Sequence, residues 1–264
     1  MYDFEYHKPS SVADAVKLLA ADPEAKAISG GMTLLPALKH RLNKPSYVVD
    51  LSGIAELRGV RKEGDNLVIG ALTKHYEIAT HPQILAAIPA LARMASTIGD
   101  TQVRNRGTIG GSLANNDPAA DYPAAALALG ATIVTDRRSI PADEFFLGMF
   151  TTALEPDELV TAVSFPIPEK AGYAKMRNPA SRYSMTGVFV AKGPQGVRVG
   201  VNGAGPCAFR QAEMEAALTA NWSPDAVAGI KQAPDELNSD IHGSAEYRAN
   251  LVTVMAKRAV ADAG

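Results

Sequence analysis

Apolar positions along the chain alternate between helical spacing and short continuous runs. Val12, Ala15, Val16 and Leu19 recur every three to four residues behind Ser11, with Asp14 three residues on. That pattern predicts an amphipathic helix with a side-chain cap at its N-terminus. Ala27-Ile28 reads as a short buried strand that enters the turn Ser29-Gly30-Gly31-Met32-Thr33. A helical segment from Leu34 to Leu42 then runs to Asn43-Lys44-Pro45, and Val48 to Leu51 reads as the next strand.

A second unit starts near Leu57. Leu67-Val68-Ile69 has the character of a strand, and Ile84 to Ile98, rich in Ala and Leu, that of one helical region. Gly99 to Asp121 reads as one long polar loop, longer than a compact domain needs as a connector and therefore a candidate functional segment. Asp121 to Leu129 is predicted as a helix with Gly130 just past its end, followed by a strand over Ala131 to Thr135. From about Pro166 the pattern changes to consecutive strands, Tyr173 to Arg177, Gly187 to Ala191 and Gly196 to Val201. Helices through Ala208 to Ala220 and Ala245 to Ala261 follow. Strands followed by helices indicate a separate unit. The fold class is α+β, in two domains divided near residue 166.

Composition narrows the chemistry. The 264 residues contain a single cysteine, Cys207, so the chain alone holds neither a disulfide, an iron–sulfur cluster nor a thiolate zinc site. With 26 basic and 28 acidic residues, charge provides no attraction for nucleic acid or an anionic membrane. No basic and apolar leader opens the sequence and no run is long enough to span a bilayer, so the expected compartment is cytoplasmic.

Two glycine pairs are the leading candidates for ligand binding. Ser29-Gly30-Gly31-Met32-Thr33 lies between a strand and a helix, a place where free backbone N–H groups and a helix end can receive a phosphate. By itself such a glycine pair is more often a tight turn with no ligand. Thr108-Ile109-Gly110-Gly111-Ser112 repeats the composition, and two such loops suit a diphosphate better than one. Asp117 and Asp121 could hold ribose hydroxyls or serve as ordinary turn and cap residues. Arg104 and Arg106 read as holding the loop by pairing with its carboxylates more than as phosphate ligands. Gly203-Ala204-Gly205-Pro206 mimics a dinucleotide fingerprint, but Pro206 removes a needed donor and too little chain follows for further βαβ units. His7, His40, His75, His81 and His242 show no metal-ligand spacing and read as surface or core residues. Cys207 reads as a buried structural thiol.

Ile28-Ser-Gly-Gly-Met-Thr-Leu-Leu-Pro36, Thr108 to Ser112 and Asp117-Pro-Ala-Ala-Asp121-Tyr-Pro123 together resemble the FAD-binding (medium) subunit of molybdenum hydroxylases, the carbon monoxide dehydrogenase and xanthine dehydrogenase group. Asp100 to Gly107 and Lys175 to Tyr183 are similar to the same family, and the likeness covers essentially the whole chain. It implies a vanillyl-alcohol-oxidase-type (PCMH-like) FAD-binding domain over residues 1–165, with subdomains of about 1–55 and 56–165. A small C-terminal domain, an antiparallel sheet with helices, would cover 166–264. FAD would lie between the two subdomains. Main-chain contacts to its diphosphate would come from Ala27, Ile28, Ser29, Gly30, Gly31, Met32, Thr33 and Leu34, and from Thr108, Ile109, Gly110, Gly111 and Ser112. Ile98 and Val160 would line the cleft. Asp121 would bind the adenosine side, with Asp117 as a further candidate, and Lys175 and Tyr183 would reach the flavin ring region. Where many relatives read Ala-Gly-Gly, this chain has Ser29-Gly30-Gly31, which leaves the backbone argument intact.

The resemblance also implies a division of labour. A large molybdopterin-containing partner would oxidise substrate. A small partner with two [2Fe–2S] clusters would relay electrons to FAD here, and an external acceptor, quinone, NAD or dioxygen, would receive them. The expected assembly is a dimer of heterotrimers, and no side chain of this chain is needed as a catalytic nucleophile or metal ligand. Two rivals stay open: a stand-alone flavin oxidase or reductase of the same fold, with Tyr183 its one nearby acid/base candidate, and a non-catalytic nucleotide-binding subunit.

Overall fold

The computed structural model describes all 264 residues. The first subdomain is a three-stranded parallel sheet in the order Glu5–His7, Tyr47–Asp50, Lys26–Ile28. Parallel neighbours need crossover connections. Helix Val12–Ala21 supplies one of them and helix Leu34–Lys39 the other. Ser11 caps the first helix, its hydroxyl accepting from the Asp14 N–H at 3.1 Å. Lys26–Ile28 is an edge strand with Ala27 exposed, not the buried strand its apolar pair suggests, because its outer side faces the cleft described below.

The second subdomain is a five-stranded antiparallel sheet in the order Val60–Glu63, Asn66–Gly70, Val160–Pro166, Thr132–Thr135, Ser139–Pro141. Its helices depart from the sequence pattern in two places. Ile84 to Ile98 is two helices, Pro82–Ala87 and Pro89–Ser96, because Pro89 lacks the N–H that would continue the first and its ring favours starting the second. The expected loop from Gly99 to Asp121 contains helices Thr101–Arg104 and Ile109–Asn115. Asp100 caps one, accepting from Val103 N–H at 2.8 Å, and Thr108 caps the other, accepting from Gly111 N–H at 3.2 Å. The glycine pair in the first turn of the second helix lowers local propensity and hides it from a pattern reading.

The third unit is a four-stranded antiparallel sheet, Lys170–Arg177, Ser184–Gly193, Gly196–Asn202 and Phe209–Arg210, separate from the sheet that ends at Pro166. The helix expected from Ala208 begins at Ala212, after the short last strand. Side chains alternate across this sheet. Val188, Val190, Val199 and Val201 pack with Val252, Met255 and Ala256 of the C-terminal helix Ala245–Ala263. Phe189 and Ala191 face the opposite way and join the core of the second subdomain. There the sheet meets helix Tyr122–Leu129, whose eight residues are all buried. Gly200 lies so close to the Ala124 carbonyl that a Cβ there would clash. The helix is enclosed on all sides, which is why its sequence is apolar around its whole circumference. Gly130 ends it in the left-handed conformation at φ 62°.

Candidate functional site

The two glycine loops belong to different subdomains and touch. Ser29 Oγ lies 3.0 Å from Thr108 Oγ1. A Cβ on Gly30 would collide with the carbonyl of Arg106, and one on Gly111 would sit 2.7 Å from Ser29 Oγ. Gly31 has φ +74°, a conformation that L side chains rarely adopt. The glycines therefore allow the two backbones to meet, and the meeting line forms one wall of a cleft of about 670 Å³. That volume is in the range of small-molecule and cofactor sites.

Hydrogen bonding divides the loops by role. The N–H groups of Gly30, Gly31, Met32 and Thr33 donate to no protein acceptor, so the first loop presents a row of free donors of the kind that receives a diphosphate. In the second loop the donors are already used. Ile109 N–H bonds Thr73 O, Gly110 N–H bonds Ala71 O, Gly111 N–H bonds Thr108 Oγ1 and Ser112 N–H bonds Thr108 O. Main-chain donation from Ile109 to Ser112 thus meets prior engagement, and this loop offers the Thr108 N–H, close approach and hydroxyl groups instead.

The structure brings most of the sequence-derived candidates to this cleft. Ala27 through Leu34, Ile98, Thr108, Gly110, Gly111, Ser112, Asp117, Asp121, Val160 and Tyr183 all line it. Ile109 is fully buried and lies off the wall. Lys175 also lies off the wall. Its ammonium contacts both carboxylate oxygens of Asp121 at 3.0 and 2.9 Å, with the side chains 4% and 6% exposed. The Tyr173 hydroxyl donates to the same carboxylate. Asp121 is therefore occupied by two partners from the C-terminal sheet, which pin that sheet to the start of helix Tyr122–Leu129. Asp117 is half-buried and accepts from Ala119 N–H at 2.9 Å as a turn residue.

Tyr183, 52% exposed, stands at the cleft on the loop after strand Lys170–Arg177. Partial burial raises its phenol pKa, and the charges of Asp117 and Asp121 raise it further, so it is a poor base. On the same loop Arg182 has φ 63°.

Other expectations resolve structurally. Arg104 does not pair with a carboxylate. It donates to the carbonyls of Ile98 at 2.9 Å and Gly99 at 3.3 Å, while Arg106 forms no ion pair. Cys207 is half-buried, and burial pushes its thiol pKa up, the reverse of what a nucleophile needs. The Gly203-Ala204-Gly205 stretch is tied down as structure: Gly203 N–H bonds Pro118 O and Asn238 Nδ2 bonds Gly205 O. A groove of about 700 Å³ elsewhere is lined by Lys62, Arg93, Lys170 and Asp262. Arg93 and Asp262 are paired at 2.8 Å and Lys170 bonds Gly264 O, so the groove offers little free charge.

Among the contributors to the cleft that escaped the sequence reading are Glu158, Phe150 and His75. Glu158 is held by Arg138, whose Nε and Nη2 donate at 2.8 and 2.7 Å. Phe150 reaches the wall from a short hairpin, Phe146–Gly148 with Thr151–Thr152, anchored by Asn116 Nδ2 on the Gly148 and Thr151 carbonyls. His75 lies beneath the second loop, and no sequence signal separates it from the other histidines.

A cleft between two α/β subdomains, with glycine loops meeting across it and a third unit covering one side, defines a nucleotide-cofactor domain. The family model for the FAD binding domain in molybdopterin dehydrogenase matches residues 2–168. The chain belongs to this family, as a medium, FAD-binding subunit of the molybdenum hydroxylases, and it is an oxidoreductase subunit whose cofactor is FAD. It is 35% identical to the carbon monoxide dehydrogenase medium chain of Hydrogenophaga pseudoflava over 97% of this chain and 96% of that one. It is 36% identical to the nicotine 6-hydroxylase medium subunit of Paenarthrobacter nicotinovorans, over 98% and 96%. Among solved structures, reconstituted CO dehydrogenase from Oligotropha carboxidovorans superposes with a TM-score of 0.91 at 32% identity, covering 99% of this chain and 98% of that chain. No helix is long and apolar enough to cross a membrane.

The cradle fits FAD on its own terms. The free donors at Gly30 to Thr33 suit a diphosphate, and the absence of a side chain at Gly30 and at Gly111 permits close backbone approach.

Proposed function

We propose that this chain is the electron-output subunit of a heteromeric molybdenum hydroxylase. Electrons would come from the [2Fe–2S] clusters of a small partner and leave to an external acceptor, a quinone, NAD or dioxygen. A large molybdopterin-containing partner would oxidise the substrate, and the expected assembly is a dimer of heterotrimers. FAD supplies the redox chemistry, and the protein supplies placement and electrostatics. The first loop holds the anionic end of the cofactor, and Tyr183 covers the cleft from the C-terminal domain. Asp121 with Lys175 fixes that domain in place.

The observation that carries this reading is the contact between the glycine loops, Ser29 Oγ to Thr108 Oγ1 at 3.0 Å, beside a row of unused N–H groups. Its support over a stand-alone oxidase is the state of the titratable groups in the cleft. Asp121 and Glu158 are held by cations, and Tyr183 is shifted away from base function. A [2Fe–2S] cluster needs several thiolates, and the one cysteine here supports a partner chain as the holder of any such cluster.

The test is to purify the chain with its partners, record the visible spectrum and cofactor content, and titrate the complex with substrate. Stoichiometric FAD that is reduced through the partner clusters is the expected result. Absence of FAD would sink the reading, a flavin that stays oxidised would favour a non-catalytic subunit, and turnover by the isolated chain would favour the stand-alone oxidase.

A further inference from the structure

His75 opens helix His75–Thr80 directly beneath the second glycine loop, and its backbone N–H donates to Gly107 O at 3.0 Å. The residue is 5% exposed and lines the cleft. Its ring packs on that of Tyr122 with centroids 5.3 Å apart. Its environment is polar in name only: Nδ1 is fully enclosed with no hydrogen-bond partner, and no protein group bonds Nε2. A Cβ on Gly107 would lie 2.5 Å from Nε2, so that nitrogen abuts the loop where it joins the cleft wall.

These facts fit together with the division of donors between the loops. The second loop has spent the N–H groups of Ile109 to Ser112 on Thr73, Ala71 and Thr108. The imidazole offers a ring nitrogen donor on that side which no protein group uses. Burial, and then the charge of Arg104, lower its pKa to about 4, so it is neutral at neutral pH and carries one N–H and one bare nitrogen. Nδ1 is sealed away from any acceptor, which places the proton on Nε2. A histidine kept only for packing would have its nitrogens satisfied within the protein.

We propose that His75 is a cofactor-binding residue, donating a hydrogen bond from Nε2 to an oxygen of the FAD seated between the glycine loops. The proposal rests on the FAD reading and adds a side-chain donor beneath the second loop, whose N–H groups from Ile109 to Ser112 are engaged. It also explains why position 107 is a glycine, since any side chain there would push the ring from its place.

The test exploits two readouts of opposite sign. His75→Phe keeps a ring against Tyr122 and removes both nitrogens. FAD is titrated into the deflavinated full chain, followed by flavin fluorescence, and the melting temperature of the same FAD-free sample is recorded. The expected result is an FAD dissociation constant raised about tenfold, with a melting temperature equal to or above wild type, because an unpartnered buried nitrogen has gone. Unchanged FAD affinity, with or without a lower melting temperature, would overturn the proposal. If His75→Phe loses both folding and affinity, His75→Gln decides. Affinity within about threefold of wild type supports the donor role, and a tenfold loss in a folded variant overturns it. Failure of wild type itself to bind FAD is a different outcome, and it would overturn the cofactor reading together with this one.

Discussion

Ser29 Oγ and Thr108 Oγ1 stand 3.0 Å apart although 79 positions separate them in sequence. The contact joins two subdomains beside Gly30 and Gly111, where the absence of side chains lets the backbones meet. It makes one surface out of two turns that are unremarkable separately, and the predictions below probe what that surface and its supports require.

Gly30→Ala inserts a Cβ into the backbone of Arg106 and Gly107, which has no flexible side chain to yield. The loops must separate, at a cost of about 1–3 kcal/mol for overpacking. The expected outcome is lower FAD occupancy in the purified protein and a lower melting temperature. Gly229→Ala, where a Cβ would meet nothing within 4 Å, serves as the control and should change neither.

Asp121 and Lys175 form an enclosed ion pair between helix and sheet. Removing one partner strands a buried charge, so Lys175→Met or Asp121→Leu should each cost about 3–5 kcal/mol in urea unfolding. The double variant should recover most of that loss, since a buried pair is itself close to neutral against apolar replacements of similar volume. A double variant as unstable as the sum of the two singles would show that the pair does not act as a unit.

Acid stability has a specific origin at Glu158. The hydrogen bonds from Arg138 lower its pKa to about 2, and its side chain is 0% exposed. A carboxylate with a depressed folded-state pKa stabilises the protein above its unfolded pKa of 4.5 and loses that contribution as pH falls from there toward 2. Arg138→Met should therefore be less stable at pH 7 and show a flatter decline over this window. Melting temperatures of both proteins at pH 7, 4 and 3 check it, and parallel curves would refute the assignment.

Much of the molecule could be read locally. The cap at Ser11, the left-handed Gly130, and the change from mixed elements to consecutive strands near residue 166 depend on neighbours within a few positions. Of the two helices inside Gly99 to Asp121, the first was masked by its single-turn length and the second by the glycine pair in its first turn. Their capping residues, Asp100 and Thr108, were the available signal. The break at Pro89 also lay in the sequence and was overridden by the apolar run around it.

The sequence by itself determined the glycine loops, the change to consecutive strands near residue 166 and, through one cysteine, that any iron–sulfur cluster must be carried by another chain. Only the tertiary structure decided which loop keeps its N–H groups free, that Asp121 is claimed by Lys175 and Tyr173, and that His75 among five histidines is buried under the cleft. The physical reason is range. Caps, turns and periodicity are set by interactions between near neighbours. Donor satisfaction, ion pairing and burial are set by which distant surfaces dock, and here those partners lie 32 to 79 residues apart, with His75 and Gly107 at one extreme and Ser29 and Thr108 at the other.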